Sequence, residues 1–215
     1  MEIAIFQFSL FGINTYLVWD SDTKECAVID PGMSTREEEQ AIVNFIAEKG
    51  LSLRQIINTH LHIDHIAGIP FLQQKYNAKV LAHKGDEFMA TGMMLKAQNS
   101  GFGLNLPLEN IEISEYLKGG DTIKIGKEEL KVLEVPGHSH GSIALYDQKD
   151  KWVITGDALF NGSIGRTDLP GGNYKELISS IESELLSLPD DTVVYPGHGP
   201  ASTIGNEKRS NPFLT

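Results

Sequence analysis

The segment Thr59-His60-Leu61-His62-Ile63-Asp64-His65 places four candidate metal ligands within six residues. Neutral imidazole and carboxylate together are a donor set for zinc, iron or manganese. His60 and His62 alternate, so in an extended segment their side chains point the same way and can grip one ion. Asp64 and His65 are then turned in a different direction, which suits a second ion. Three further candidates each follow a glycine: His138 in Pro136-Gly137-His138, Asp157 in Thr155-Gly156-Asp157 and His198 in Pro196-Gly197-His198. Glycine lets the backbone turn sharply and approach a crowded centre. One such pair alone is more often a turn than a ligand. Beside the first cluster, the three are read together as one site.

Five histidines and two aspartates make seven donors. Split as three, three and one bridging carboxylate, they hold two ions and leave a position for a shared water. An open position marks a hydrolytic centre rather than a closed structural one. Two ions about 3.5–4 Å apart lower the pKa of that water and stabilise charge on the attacked group. The expected cofactors are therefore two divalent ions per chain, zinc first, with iron or manganese acceptable.

Strand ends must deliver these residues. Apolar runs bounded by turn residues predict strands over 3–8, 14–19, 25–29, 53–57 and 79–82, then 122–125, 129–135, 142–146, 152–155 and 192–195. Ser34 and Glu37 read as a capping box before Ala41, Ile42, Phe45 and Ile46 at helical spacing, with Gly50 as the stop. A short helix is expected over 69–76, and a weakly helical, Met-rich stretch over 84–101. The loop 102–107 is a candidate mobile edge. Asn173 caps a last helix whose buried stripe is Tyr174, Leu177, Ile178, Ile181 and Leu185, and Pro189 ends it. Strand groups with helices between and after them predict an α/β fold of two sheets flanked by helices, in one domain spanning 1–215.

Composition narrows the partners. The 215 residues carry 18 Lys+Arg against 29 Asp+Glu, a net charge of −11, which disfavours binding by broad phosphate neutralisation, so no nucleic-acid partner is expected. Cys26 is the single cysteine, which excludes an intrachain disulfide or a cysteine metal cage. The start Met1-Glu2-Ile3-Ala4 lacks a signal peptide's basic and apolar regions, and no run approaches membrane-span length. The expectation is a cytoplasmic protein with no membrane partner.

The H-x-H-x-D-H block with the later Gly-His, Gly-Asp and Gly-His resembles the metallo-β-lactamase superfamily. More narrowly, Gly162-Ser163-Ile164-Gly165-Arg166-Thr167-Asp168 with Gly171-Gly172 is similar to the short bacterial glyoxalase II-like hydrolases. So is Pro196-Gly197-His198-Gly199-Pro200 with Thr203-Ile204-Gly205 and Asn211-Pro212-Phe213. The resemblance implies an αβ/βα sandwich of two mixed sheets with metals in a cleft at one edge. It implies that His60, His62 and His138 hold one ion and that Asp64, His65 and His198 hold the other. Asp157 would bridge, Asp64 and Asp157 would be the catalytic carboxylates, and Asp30 would support the site. Larger glyoxalase II enzymes carry an extra C-terminal helical region that helps bind glutathione. Seventeen residues follow His198 here, so that region's basic residues are not expected.

Arg166 lies nine residues past Asp157 on a glycine-rich loop. Its planar fork suits a substrate carboxylate, and a brace against Asp168 is the competing role. His140 is expected to be an exposed turn residue, His83 to cap the adjacent segment or face solvent, and Met89, Met93 and Met94 to pack. Ser139 and Tyr195 flank ligands without distinguishing substrate contact from packing. The leading functional expectation is hydrolysis of a small thioester by a metal-bound hydroxide, of the hydroxyacylglutathione type. The alternative is a persulfide dioxygenase of the same fold, with a single iron on two histidines and one aspartate.

Overall fold

The computed structural model describes residues 1–215. The first half runs β1 (Glu2–Gln7), β2 (Asn14–Trp19), β3 (Glu25–Ile29), α1 (Arg36–Lys49), β4 (Ser52–Ile57), α2 (Ile63–Ile66), α3 (Ile69–Tyr76), β5 (Lys79–His83), a 3-10 segment (Lys84–Ala90), α4 (Gly92–Gly101) and β6 (Glu115–Leu117). The second runs β7 (Thr122–Ile125), β8 (Glu128–Glu134), β9 (Ile143–Asp147), β10 (Trp152–Gly156), β11 (Leu159–Phe160), β12 (Ser163–Ile164), α5 (Tyr174–Ser180), a π-helical turn (Ile181–Leu185), β13 (Val193–Pro196), β14 (Ser202–Thr203) and α6 (Ile204–Ser210).

Two mixed six-stranded sheets result, ordered β1-β2-β3-β4-β5-β6 and β14-β13-β10-β9-β8-β7. Alternation along the strands builds four layers. On β2, Leu17 joins Val28, Ile42, Ile46, Ile56 and Leu72 in a core between the first sheet and its helices. Its neighbours Tyr16 and Val18 join Ile29, Ile57, Leu130, Val132, Leu145 and Ile154 between the sheets. Ala144, Val153 and Val194 face Leu177, Ile181, Leu185 and Ile204 on the far side. Covering both faces explains why central strands read as continuous apolar runs. This is the expected αβ/βα sandwich.

Topology fixes which strand ends meet. β3, β4 and β5 are parallel, as are β10 and β13. β8 is two antiparallel steps from β10 and so points the same way. The carboxyl ends of β3 and β4 in one sheet, and of β8, β10 and β13 in the other, therefore release their chains at one edge of the sandwich.

Local details depart from expectation in four places. The capping box is Thr35 with Glu38, one residue later than Ser34 with Glu37. Ser34 instead donates to Glu38 through its amide and hydroxyl, while Glu38 also accepts from Ser9 N. Tyr174 is 51% exposed, because the first residue of α5 precedes the stripe formed by Leu177, Ile181 and Leu185. Met93 is 77% exposed, whereas Met89 is buried. The loop expected to be a mobile edge is pinned: the Asn99 amide accepts from Leu106 N at 2.9 Å and donates to Leu106 O at 3.1 Å. No helix is long and apolar enough to cross a membrane.

Candidate metal centre

Close approach of the two sheets' loops sets the centre, and glycine permits it. At Gly156 a Cβ would stand 2.3 Å from Thr59 Oγ1, so only glycine lets the Asp157 segment lie against the start of the histidine cluster. At Gly197 a Cβ would stand 2.2 Å from Asp157 Oδ1 and 2.8 Å from His65 Cε1. The glycines before Asp157 and His198 are thus owed to crowding at the site itself, whereas a Cβ at Gly137, before His138, would meet the Leu177 backbone of α5 at 2.3 Å.

The structure brings all seven residues together. Three sets have ligand atoms within 4.8 Å of one another: His60, His62 and His138; His60, His65 and Asp157; and Asp64, His65 and His198. His62 Nδ1 lies 2.8 Å from His138 Nε2. His198 Nε2 lies 3.1 Å from Asp64 Oδ2. Asp157 stands between the groups, with Oδ1 3.4 Å from His65 Nε2 and Oδ2 3.7 Å from His138 Nε2 and 3.6 Å from His198 Nε2. His60, His62, Asp64, His65 and His138 are buried, and His198 is partly exposed.

Three polar atoms at the centre of this cluster, His60 Nε2, His65 Nε2 and Asp157 Oδ1, are buried without a hydrogen-bond partner. Such atoms are costly unless something ligates them, so the donor set fits divalent cations. Protonation agrees. Burial, reinforced by the neighbouring histidines, holds His60 well below the ordinary imidazole value and His62 down to about 3, leaving neutral rings with lone pairs. Burial opposes ionisation of Asp157 and Asp64, but His65 and the other imidazoles outweigh it and lower both carboxyls. Burial would likewise lower His65, yet Asp64, Asp157 and Asp30 outweigh it and raise its pKa well above the usual value. That concentration of negative charge around one imidazole suits a cation.

Backbone carbonyls and carboxylates aim the rings. His138 Nδ1–H donates to Arg166 O at 2.8 Å and His198 Nδ1–H to Phe11 O at 3.1 Å, so each presents Nε2 to the centre. Asp30, as expected, stands behind the site: it accepts from Thr59 N and Oγ1 at 2.8 and 2.6 Å, and its Oδ2 lies 3.0 Å from His65 Nδ1.

Sequence reasoning missed Asp86, which is fully buried and ties the two ligand loops together. It accepts from Leu61 N between His60 and His62, and from Ser139 Oγ and Gly141 N beside His138, at 3.2, 2.7 and 2.7 Å. Burial raises its carboxyl pKa against the opposing pull of these hydrogen bonds. Ser139 is thereby committed to Asp86. Gln98 on α4 was also missed; its Oε1 accepts from Ile63 N at 2.9 Å. Neither residue stands near the ligands in sequence, and no local pattern announces them. His140 is exposed, and His83 Nδ1 accepts from Gly85 N at 3.1 Å, both as expected. Tyr195 is half-buried and packs against the inter-sheet core, its ring 5.8 Å from that of Tyr16.

A cleft of about 260 Å³ opens over the centre, lined by Phe11, His62, Asp64, Phe102, His138, Asp157, Arg166, Leu169 and His198. Arg166 stands where either of its two expected roles is open to it. It lines the cleft, and its Nε and Nη2 donate to Asp168 at 2.7 and 2.8 Å.

Two mixed sheets back to back, flanked by helices and carrying histidines and aspartates at one edge, define a class of metal-dependent hydrolases. Residues 9–198 match the family model of the metallo-beta-lactamase superfamily, and the chain belongs to that family. It is 37% identical over 219 residues to the hydroxyacylglutathione hydrolase GloC of Haemophilus influenzae, covering 100% of this chain and 98% of that one. Among solved structures it is similar to BLEG-1, described as a B3 metallo-beta-lactamase, at TM-score 0.90 and 32% identity with full coverage of both chains. It is also similar to TTHA1623 in a di-iron-bound form, at TM-score 0.86 and 35% identity, covering 98% of this chain and 100% of that one.

Proposed function

We propose that this metal-dependent hydrolase cleaves small thioesters of the hydroxyacylglutathione type, with two divalent cations. One observation carries the choice of substrate class. Every residue lining the cleft that could exchange a proton near neutral pH is a candidate ligand, and the remaining polar residue, Arg166, keeps its proton. No side chain is therefore free to protonate a leaving group. A thiolate leaves without such help, whereas an amine or alkoxide gains much from a general acid.

Bound to the two triads, divalent cations supply an acidified water and positive charge for a carbonyl oxygen. His60, His62 and His138 would hold one ion; Asp64, His65 and His198 would hold the other. Asp157 would join them, its charge partly neutralising both. The di-iron form of TTHA1623 supports the count, and likeness to GloC supports the substrate class. Arg166 receives an anionic part of the substrate. Its guanidinium must then share or leave Asp168.

The test is metal quantitation on protein purified without added metal, paired with assays on a lactoyl thioester, a persulfide and a chromogenic β-lactam. Close to two metals per chain, with thioester turnover lost on chelation and restored by metal, is the expected result. One iron, no gain in hydrolysis on adding metal, and oxygen consumption with the persulfide would replace this reading with a mononuclear dioxygenase. Turnover confined to the β-lactam would overturn the substrate class.

A further inference from the structure

Two phenyl rings from remote parts of the chain meet at the mouth of the cleft. Phe11, in the β1–β2 turn, and Phe102, at the end of α4, have ring centroids 5.5 Å apart at an interplanar angle of 62°, an edge-on arrangement. Phe11 is 52% exposed and Phe102 39%. Exposed large apolar groups are unremarkable when scattered singly, but a pair of them lining the cleft over a reactive centre marks a place for an apolar ligand.

Both rings are held in register with the candidate ligands. Phe11 O accepts from His198 Nδ1, Ile13 bridges to His198, and Asn14 N donates to Gly197 O at 2.7 Å. The Phe11 backbone is held at φ 54°, a left-handed conformation that an aromatic residue rarely adopts, followed by Gly12 at φ 70°. Phe102 closes α4, which Gln98 fastens to Ile63 N between His62 and Asp64. Beyond it, Asn99 anchors the loop. A strained backbone on one side and a tethered helix on the other thus fix two rings relative to the centre. Neither tether is needed merely to bury a ring, since both rings stay exposed.

We infer that Phe11 and Phe102 form a fixed aromatic subsite for an apolar arm of the substrate. The protein then prefers thioesters bearing an aryl or extended alkyl group to those of short hydroxy acids. This rests on the hydrolase reading above and adds the substrate's shape to it: a carbonyl over the centre, one arm apolar and another reaching Arg166. The rings are pre-positioned, so apolar surface is removed from water with little new ordering.

The experiment measures kcat/KM on metal-loaded protein for acetyl, hexanoyl and phenylacetyl thioesters of one thiol, then for acetyl esters of small, alkyl and aryl thiols. Wild type is expected to favour the apolar member of one series by roughly tenfold or more. Phe11→Ala and Phe102→Ala are each expected to bring that ratio toward one. A merely structural role would lower all substrates alike and keep the ratio. A second arm measures binding of phenylacetate and acetate by calorimetry. Tighter phenylacetate binding in wild type, lost in both variants, is expected whether or not any thioester turns over. Discrimination in binding without thioester hydrolysis would keep the subsite and overturn the thioesterase reading. Equal binding of the two acids, or a turnover ratio near one in both series, or a ratio unmoved by either substitution, would overturn the subsite.

Discussion

Arg166 touches the candidate ligand cluster through its backbone: its carbonyl oxygen accepts from His138 Nδ1 at 2.8 Å, while its guanidinium grips Asp168 in a two-pronged pair. The two halves of this residue therefore answer to different substitutions. Arg166→Ala keeps the carbonyl and is expected to keep the metal content. It is expected to raise KM for an anionic thioester by about tenfold, the low end for a charged hydrogen bond because Asp168 already competes for the group. Asp168→Asn releases the guanidinium and should lower that KM. A neutral thioester should show neither change. Steady-state kinetics on a matched pair of substrates decides it: equal effects on both would make the pair a loop brace.

Asp157 reaches both candidate triads with one carboxylate: Oδ1 faces His65 of one, and Oδ2 lies between His198 of that triad and His138 of the other. Asp157→Asn keeps the shape and removes the charge between the two triads. Metal content by elemental analysis is expected to drop from near two to one or less per chain, with turnover down about a hundredfold or more. Asp64→Asn should weaken chiefly one ion, since Asp64 belongs to a single triad. Retention of two metals by Asp157→Asn would remove the bridging assignment.

Those two residues also show what the sequence makes legible. His60, His62, Asp64 and His65 are neighbours along the chain, and each later candidate follows a glycine, so type and spacing reveal them. The glycines survive as signals because a Cβ at 156 or 197 would collide within the centre. Asp86 and Gln98 act across 25 and 35 residues of sequence, by bonds to Leu61 N and Ile63 N, and such bonds have no local pattern. The pair Phe11 and Phe102 is hidden for the same reason: only packing brings the rings together. Among the elements, long apolar strands are readable, whereas β6, β11, β12 and β14 have two or three residues each and escape periodicity. The seven-residue α6, capped by Thr203, escapes it too.

Glu207 on α6 is fully buried and holds the hairpin that connects Asp157 to Arg166. Its Oε2 accepts from Gly162 N at 2.9 Å and from Asn211 Nδ2 at 2.8 Å, while its Oε1 accepts from Ser202 Oγ and Asn206 Nδ2. Asn211 Nδ2 also donates to Ser163 O at 3.0 Å. Every partner here can donate, so a carboxylate satisfies all four. A glutamine with its oxygen toward Gly162 N and Asn211 Nδ2 would turn its NH2 toward Asn206 Nδ2, a donor, leaving only the Ser202 hydroxyl able to accept. Glu207→Gln is expected to cost about 1–3 kcal/mol in urea unfolding despite its unchanged size. A loss no greater than that of an exposed control such as Glu182→Gln would show that the network tolerates an amide.

Asp20 links turns from the two sheets. Its carboxylate accepts from Lys127 N in the β7–β8 turn at 2.8 Å, and from Asp22 N and Thr23 Oγ1 in the β2–β3 turn, both at 2.9 Å. The bond from Lys127 N leads the causes that lower its pKa from 3.8 to about 2. A carboxyl whose pKa is depressed on folding stabilises the fold while it is ionised in both states, above the unfolded value. That contribution fades as acid protonates the unfolded chain first and the folded one later. The window therefore runs from pH 3.8 down to about 2. Asp20→Asn is expected to melt a few degrees below wild type near neutral pH, because one amide oxygen cannot replace two charged ones. Through the acid window the two proteins should converge, as wild type loses what the variant never had. Urea titrations at neutral pH, at the top of the window and at its bottom measure the difference. A gap that stays constant across that range would assign the link to shape rather than charge.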